Sequence, residues 1–173
     1  MIYDIFFYEE VNMLRKRQKG FTLIELLIVV AIIAIIAAIA IPNLLTALQK
    51  GRQKRTMGDM KTIGSALESY NTDYAFYPPG STVSALKQYL TPFYIQSLPE
   101  RDGWGTVFAY QTSASSGSTV PDVYSIISYG RNKAPGGGLG NPVFGQTYVC
   151  TSISHFDTDI YFSNGQFTWA PKQ

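Results

Sequence analysis

Cysteine and histidine each occur only once among the 173 residues of the chain. Because Cys150 has no partner, no intramolecular disulfide can form, and a disulfide-stapled domain is excluded. With His155 as the only histidine, the sequence shows no local signature of a catalytic Ser/His/Asp triad. The glycine-rich stretch at residues 136–140 lacks the lysine and the spacing of a phosphate-binding loop. We therefore expect no enzymatic activity and no catalytic residues.

Charge is also scarce, at 15% of the residues against 46% hydrophobic ones, and the formal net charge is only +2. A charge this small does not indicate a nucleic-acid-binding protein. The apolar excess is concentrated before Pro42, and basic residues flank it on both sides, at residues 15–19 and 50–55. The composition thus separates an apolar N-terminal part from a nearly neutral remainder.

The apolar part contains a run of sixteen apolar residues without interruption, residues 26–41. Counted from Phe21, the stretch has 21 residues, or about 31 Å as a helix, which is enough to cross a bilayer core. It is longer than the apolar segment of a secretory signal peptide. Residues 21–41 are therefore predicted to form a transmembrane helix, and the preceding basic residues would hold that end in the cytoplasm.

Glu25 does not suit a plain membrane anchor. An isolated carboxylate in a lone spanning helix costs about 3 kcal/mol on insertion scales. Cleavage between Gly20 and Phe21 would create an α-amino group about 6 Å from Glu25 along a helix. That amine could pair with Glu25 of the same chain or of a neighbour. The alternative is that Glu25 lies near the membrane interface and snorkels to water.

The segment at residues 15–30, RKRQKGFTLIELLIVV, resembles the signature of type IV pilins and of the pseudopilins of type II secretion. In that family a prepilin peptidase cleaves after the glycine and methylates the new N-terminal phenylalanine. The resemblance implies cleavage after Gly20, N-methylation of Phe21, and a role for Glu25 in assembly. Pro42 falls where the family also has a helix proline.

The first twelve residues depart from the family pattern, because they are aromatic and acidic where pseudopilin leaders are short and basic. Met13 opens a leader of eight residues that ends at Gly20. We expect residues 1–20 to be removed and translation to start at Met13. The mature chain, with ten basic and nine acidic residues, is the same with either start.

Residues 42–77 are predicted to continue the helix into a globular region. Pro42 should break or kink the helix near Ala38, and Pro78 should end it by about Tyr77. One apolar stripe repeats at spacings of three and four residues: Met60, Ile63, Leu67, Tyr70 and Tyr74. The opposite face carries Asp59, Lys61, Glu68 and Asp73. An amphipathic helix of this kind packs its stripe on its own domain.

Residues 78–173 are predicted to form a β-rich extracytoplasmic region. We expect a short helix at residues 84–90, strands at 106–110 and 123–129, and a loop at 131–145. Residues 159–169 are predicted to form a hairpin with its turn at Asn164 and Gly165. The fold class is α+β, a long N-terminal helix against a small antiparallel β-sheet, as in type IV pilins.

Residues 98–110, LPERDGWGTVFAY, resemble a segment of the major pseudopilins of type II secretion. Those proteins typically read Asp-Pro-Trp-Gly, and Gly103 replaces the proline here. Residues 124–130 are similar to the strand that follows. Many type IV major pilins close a C-terminal loop with a disulfide, which a single cysteine cannot form. The lack of a disulfide favours a pseudopilin or a disulfide-free pilin, and the resemblance of residues 98–110 favours a major pseudopilin.

Asp157 and Asp159 resemble the acidic turn by which major pseudopilins hold calcium. Two carboxylates two residues apart offer hard oxygen ligands, and backbone carbonyls could complete the coordination. The alternative is a turn before a hairpin, in which the carboxylates cap backbone N–H groups. With His155 the turn reads His-x-Asp-x-Asp, which could ligate a transition metal, although a solvent-facing loop histidine is the simpler interpretation. Calcium is the only cofactor that we expect.

The sequence thus predicts a structural subunit of a type II secretion pseudopilus, polymerising through its N-terminal helix to drive protein export. Its expected partners are further copies of itself, a prepilin peptidase, an inner-membrane assembly platform and minor pseudopilins. It would cross the inner membrane once before assembly and then form a periplasmic or extracellular filament. One alternative is a type IV pilin for adhesion, motility or DNA uptake, with nucleic acid a partner only in the last case. Another is a monomeric membrane-tethered binding domain or enzyme.

Overall fold

The computed structural model describes residues 20–140, 143 and 145–172. The expected leader before Gly20, including the proposed start at Met13, lies outside the described residues. The chain divides into two compact units, Met1–Pro42 and Asn43–Gln173.

A single helix, α1, spans Leu23–Tyr74 and contains Pro42. The predicted break near Ala38 does not occur, because a proline removes only one backbone hydrogen bond, and alanine and leucine residues, which favour a helix, lie within three positions on either side. The helix ends three residues before the predicted end at Tyr77. Ala75 has the left-handed conformation (φ 60°), and its N–H donates to the Asn71 carbonyl at 2.8 Å, which is a common helix C-cap.

Among the described residues, one helix is long and apolar enough to cross a membrane, and its apolar window is not buried within the chain. Large side chains from Leu23 to Ile41 are between 45% and 81% exposed. A soluble monomer rarely exposes so much contiguous apolar surface. The length and the exposed apolar surface of this helix therefore agree with the prediction of a membrane-spanning segment.

The apolar stripe of α1 packs into the core of the second unit. Four residues of the stripe are buried as predicted: Met60, Ile63, Leu67 and Tyr70. The prediction that Tyr74 packs with them is wrong, because Tyr74 is 55% exposed. Tyr74 is the last helical residue, and its ring stacks on Tyr70 with 4.5 Å between centroids rather than entering the core.

Two short helical turns follow, a 3-10 helix at Val83–Leu86 and α2 at Lys87–Leu90, close to the predicted residues 84–90. The strands are β1 (Ala109–Ser113), β2 (Val123–Ser128), β3 (Gln146–Tyr148), β4 (Ile160–Ser163) and β5 (Gln166–Pro171), with a 3-10 turn at Ile153–Asp157 before β4.

The sheet has the order β1-β2-β4-β5-β3, which confirms the α+β class. It is mixed rather than wholly antiparallel, because β3 pairs parallel to β5. The predicted hairpin is present as β4 and β5. Its turn residues Asn164 (φ 44°) and Gly165 (φ 79°) both have positive φ, as a type I′ turn requires.

Candidate assembly and metal sites

The predicted cleavage junction lies at the exposed start of α1. Phe21 is 79% exposed, and a Cβ on Gly20 would meet nothing within 4 Å. Both residues precede the first helical residue, Leu23. Within the described part of the chain, the peptide bond after Gly20 is thus not covered by folded structure.

Glu25 and Thr22 form a capping box at this end of the helix. The Thr22 N–H and hydroxyl both donate to Glu25 Oε2, at 2.9 and 2.7 Å, and the Glu25 N–H donates to Thr22 Oγ1 at 3.2 Å. Thr-x-x-Glu before an apolar run is a known signature of a helix N-terminus. The Thr-x-x-Glu spacing is visible in the sequence, but this capping role was not predicted.

The turn at residues 102–106 is held together by the side chain of Asp102, which also links it to β2. The buried carboxylate of Asp102 accepts hydrogen bonds from the N–H groups of Trp104 (2.9 Å) and Thr106 (2.8 Å) and from the Ser128 hydroxyl (2.8 Å). These bonds occupy the residues that were predicted to begin a strand at Thr106. Strand β1 therefore starts three residues later, at Ala109.

Gly103 contacts helix α1 directly, and this contact explains why glycine stands where major pseudopilins typically have proline. Its N–H donates to Thr56 Oγ1 at 2.8 Å, a bond that proline could not make. A Cβ at this position would lie 2.4 Å from the Arg52 carbonyl oxygen. Trp104 adds a second tie, from its indole N–H to Gln49 Oε1 at 2.7 Å. In this chain, close approach of the turn to the helix requires glycine.

The two carboxylates of the acidic turn have different surroundings. Both oxygens of Asp157 accept hydrogen bonds from the Arg131 guanidinium, at 2.7 and 2.8 Å. Asp159 is 3% exposed; its Oδ2 accepts the Gly136 N–H at 2.9 Å, whereas its Oδ1 has no hydrogen-bond partner among the described residues. Burial raises the pKa of Asp159, and the bond from Gly136 opposes that rise.

The glycine-rich loop closes over this turn. A Cβ on Gly137 would lie 2.4 Å from the Asp157 carbonyl oxygen, and one on Gly138 would lie 2.6 Å from the Thr158 nitrogen. The orphaned oxygen of Asp159, beside loop backbone, fits a hard cation, which takes carboxylate and carbonyl oxygens. The described residues contain no group of three or more His, Cys, Asp or Glu side chains that could hold a metal, so backbone oxygens would have to supply most ligands.

His155 contacts the backbone of its own loop, whereas Cys150 contacts helix α1. His155 Nδ1 lies 3.2 Å from both the Thr151 nitrogen and the Val149 carbonyl oxygen. Cys150 is half-buried; the Gln53 amide donates to its sulfur at 3.4 Å, and burial raises the pKa of the thiol. A raised pKa keeps the thiol protonated and unreactive.

Comparison with known proteins gives two adjacent family matches. Residues 15–41 match the family model for the prokaryotic N-terminal methylation motif. Residues 43–143 match the model for type II secretion system protein G, which is more than half of the chain.

Curated relatives agree with these matches. A type II secretion system core protein G of Vibrio cholerae is 31% identical over 138 residues, 73% of this chain and 92% of the relative. Its namesake in Pseudomonas aeruginosa is 32% identical over 132 residues, 69% of this chain and 89% of the relative. The aligned parts take in nearly the whole of each relative, so the chain belongs to the protein G family of type II secretion systems, the major pseudopilins.

Proposed function

We propose that this chain is the structural subunit of a type II secretion pseudopilus and polymerises through α1 to drive protein export. The observation that carries the proposal is an apolar helix half left uncovered by its own chain, in a sequence that matches protein G beyond that half. A membrane-tethered enzyme would not need the predicted cleavage site between Gly20 and Phe21, which precedes this helix.

Processing comes before assembly in this proposal. A prepilin peptidase cleaves after Gly20 and methylates Phe21, which stays positively charged. The subunit crosses the inner membrane once, with its globular region extracytoplasmic, and then enters a filament. Its partners are further copies of itself, the assembly platform of the inner membrane and the minor pseudopilins. The methylation-motif match supports the processing step.

Assembly exchanges one apolar environment for another. In the membrane, lipid covers the exposed side chains of residues 21–41; in a filament, the same helices of neighbouring subunits would cover them. Burial alone does not fix the axial register of such helices, since their surface is uniformly apolar. An ion pair between Glu25 and the Phe21 amine of a neighbour would do so, because buried pairs are better suited to specifying geometry than to adding stability.

We also propose a structural calcium ion at the acidic turn, with Asp159 as its carboxylate ligand and loop carbonyls as the others. The buried Asp159 Oδ1, which has no hydrogen-bond partner within the described part of the chain, supports it. Asp157, the other predicted ligand, would serve through its backbone, since Arg131 holds both oxygens of its side chain.

Deletion of the gene in its own host tests the export function. Secreted proteins should accumulate in the periplasm, wild-type chain should restore export, and Glu25→Ala should not. Lys133→Gln, an exposed substitution, is the matched control and should restore export. Normal export in the deletion strain, with loss of motility, adhesion or DNA uptake instead, would assign the chain to type IV pili.

A further inference from the structure

A groove of about 250 Å³ lies between α1 and the chain segments that follow β3 and β5. We call it the lysine groove. Three of its lining residues are basic, Lys50, Lys54 and Lys172, and three are apolar, Met57, Val149 and Pro171. Among the residues that the structure describes, no acidic side chain lines it. The charged side chains of the groove are therefore all positive, and they lie beside apolar side chains.

The positive charge of the lysine groove is not balanced by ion pairs. Among the described residues, the salt bridges are Arg55–Asp59, Lys87–Glu100 and Arg131–Asp157, and none includes a groove lysine. Three ammonium groups that share one small concave surface repel each other, and an anion relieves that repulsion. The groove thus has the electrostatics of an anion-binding site.

The fold fixes the position of the groove walls. The buried Gln53 amide donates to the Cys150 sulfur at 3.4 Å, which ties α1 to the segment after β3. The Lys172 N–H donates to the Tyr148 carbonyl at 2.7 Å, which ties the end of β5 to β3. The backbone positions of the three lysines are therefore fixed in the folded state, and binding has to order only their side chains.

A second copy of the chain offers no obvious anion for the groove. Eight carboxylates follow Pro42 in the sequence, and each already has a hydrogen-bond or ion-pair donor in its own chain. A further ion pair between one of these carboxylates and an exposed lysine of another copy would contribute little to self-association. Charge complementarity therefore points away from self-association at this surface.

We propose that the lysine groove binds the phosphate of an anionic phospholipid headgroup. The ammonium groups of Lys50, Lys54 and Lys172 contact the phosphate oxygens, and Val149, which is 59% exposed, packs on the apolar part of the lipid. Lys50 follows Ile41, the last residue of the apolar run, by only nine residues, and basic residues beside a membrane segment attract anionic lipids. This inference rests on the membrane location in the proposed function.

Lipid retention by the full mature chain tests the assignment. The chain is purified in a neutral detergent, phosphatidylglycerol is added, and native mass spectrometry counts bound lipid. We expect one saturable site and no comparable binding of phosphatidylcholine. The triple variant Lys50→Gln, Lys54→Gln, Lys172→Gln should bind about tenfold more weakly or less, since each basic residue contributes to lipid attraction.

A matched triple variant controls for net charge: Lys61→Gln, Lys87→Gln, Lys133→Gln. It removes the same charge outside the groove and should bind phosphatidylglycerol like the wild type. Equal weakening in both variants would overturn the site, as would displacement of the lipid by inorganic phosphate at equal concentration, which would make it a free-phosphate site. Loss of self-association in the groove variant, with lipid binding intact, would assign the groove to a second copy. The assay contains no secretion machinery, so its failure is distinguishable from failure of the export function.

Discussion

Thr22 and Glu25 exchange hydrogen bonds at the start of α1, with Glu25 Oε2 2.7 Å from the Thr22 hydroxyl and the Glu25 N–H bound to Thr22 Oγ1. Glu25 is therefore a helix cap within its own chain as well as the proposed partner of a neighbour's amine. The two roles use different properties of the side chain, since capping needs a hydrogen-bond acceptor and pairing needs a charge. Substitutions can separate them.

Glu25→Gln keeps the capping acceptor and removes the charge, because glutamine also serves in a capping box. We expect both Glu25→Gln and Glu25→Ala to insert, to be cleaved and to accumulate in the membrane, yet to fail in filament assembly. Glu25→Asp, shorter by one methylene, should impair assembly less. The measurement is filament yield after shearing, compared with abundance in the membrane fraction.

Thr22→Ala is the matched control for the Glu25 series. It removes the hydroxyl of the capping box and leaves the Glu25 carboxylate in place, so assembly should persist. Normal filaments from Glu25→Gln together with none from Thr22→Ala would show that the cap, and not the charge, is what assembly requires.

Gly103→Ala should destabilise the globular region by about 1–3 kcal/mol, as over-packing of a tight contact does. The added Cβ would lie 2.4 Å from the Arg52 carbonyl oxygen. Gly51→Ala is the control, because a Cβ at that helical position meets nothing within 4 Å and alanine favours a helix over glycine. Denaturant unfolding of the full chain in detergent measures both. Equal stability of Gly103→Ala and wild type would contradict the close approach of the turn to α1.

Asp102→Ala should lower the free energy of unfolding by about 2–4 kcal/mol, since it leaves the N–H groups of Trp104 and Thr106 without their acceptor. Asp102→Asn retains one acceptor oxygen and should cost less. Ser128→Ala removes a single donor and should cost least of the three. The same unfolding experiment ranks them, and a different order would mean that the backbone N–H groups find other partners.

Calcium should raise the melting temperature of the full mature chain relative to chelator. A ligand at a hundredfold excess over its dissociation constant stabilises the folded state by about 2.7 kcal/mol, which is roughly 5–10 °C for a domain of this size. Asp159→Ala should abolish the difference, whereas Asp122→Ala, at an exposed carboxylate bound to Ser115, should keep it. The absence of a calcium effect in the wild type would reduce the acidic turn to a hairpin turn.

The sequence predicted those features that depend on local patterns. The spacing of Met60, Ile63 and Leu67 defines a helix face, and Asn164-Gly165 has the backbone freedom for a tight hairpin. The parallel pairing of β3 with β5 was not predicted, because β3 has three residues and its partner is set by tertiary packing. Contacts such as Arg131–Asp157 join residues 26 apart in sequence, and a local sequence pattern cannot predict them.

The Thr22–Glu25 capping box differs from these, since its signal was present in the sequence. Glu25 lies three residues after Thr22, the spacing of a capping box, in addition to being a predicted intramembrane charge. Gly103 shows the reverse: the departure from the family's proline was visible, but its cause, the Arg52 carbonyl, required the fold.

The central claim is that this chain is cut after Gly20 and polymerises. Mass spectrometry of the sheared filament fraction, from the native host overproducing the chain with its secretion system, tests it most directly. We expect filaments whose main subunit begins at Phe21 and carries one N-terminal methyl group. A filament fraction without this chain, or a chain that retains residues before Phe21, would contradict it.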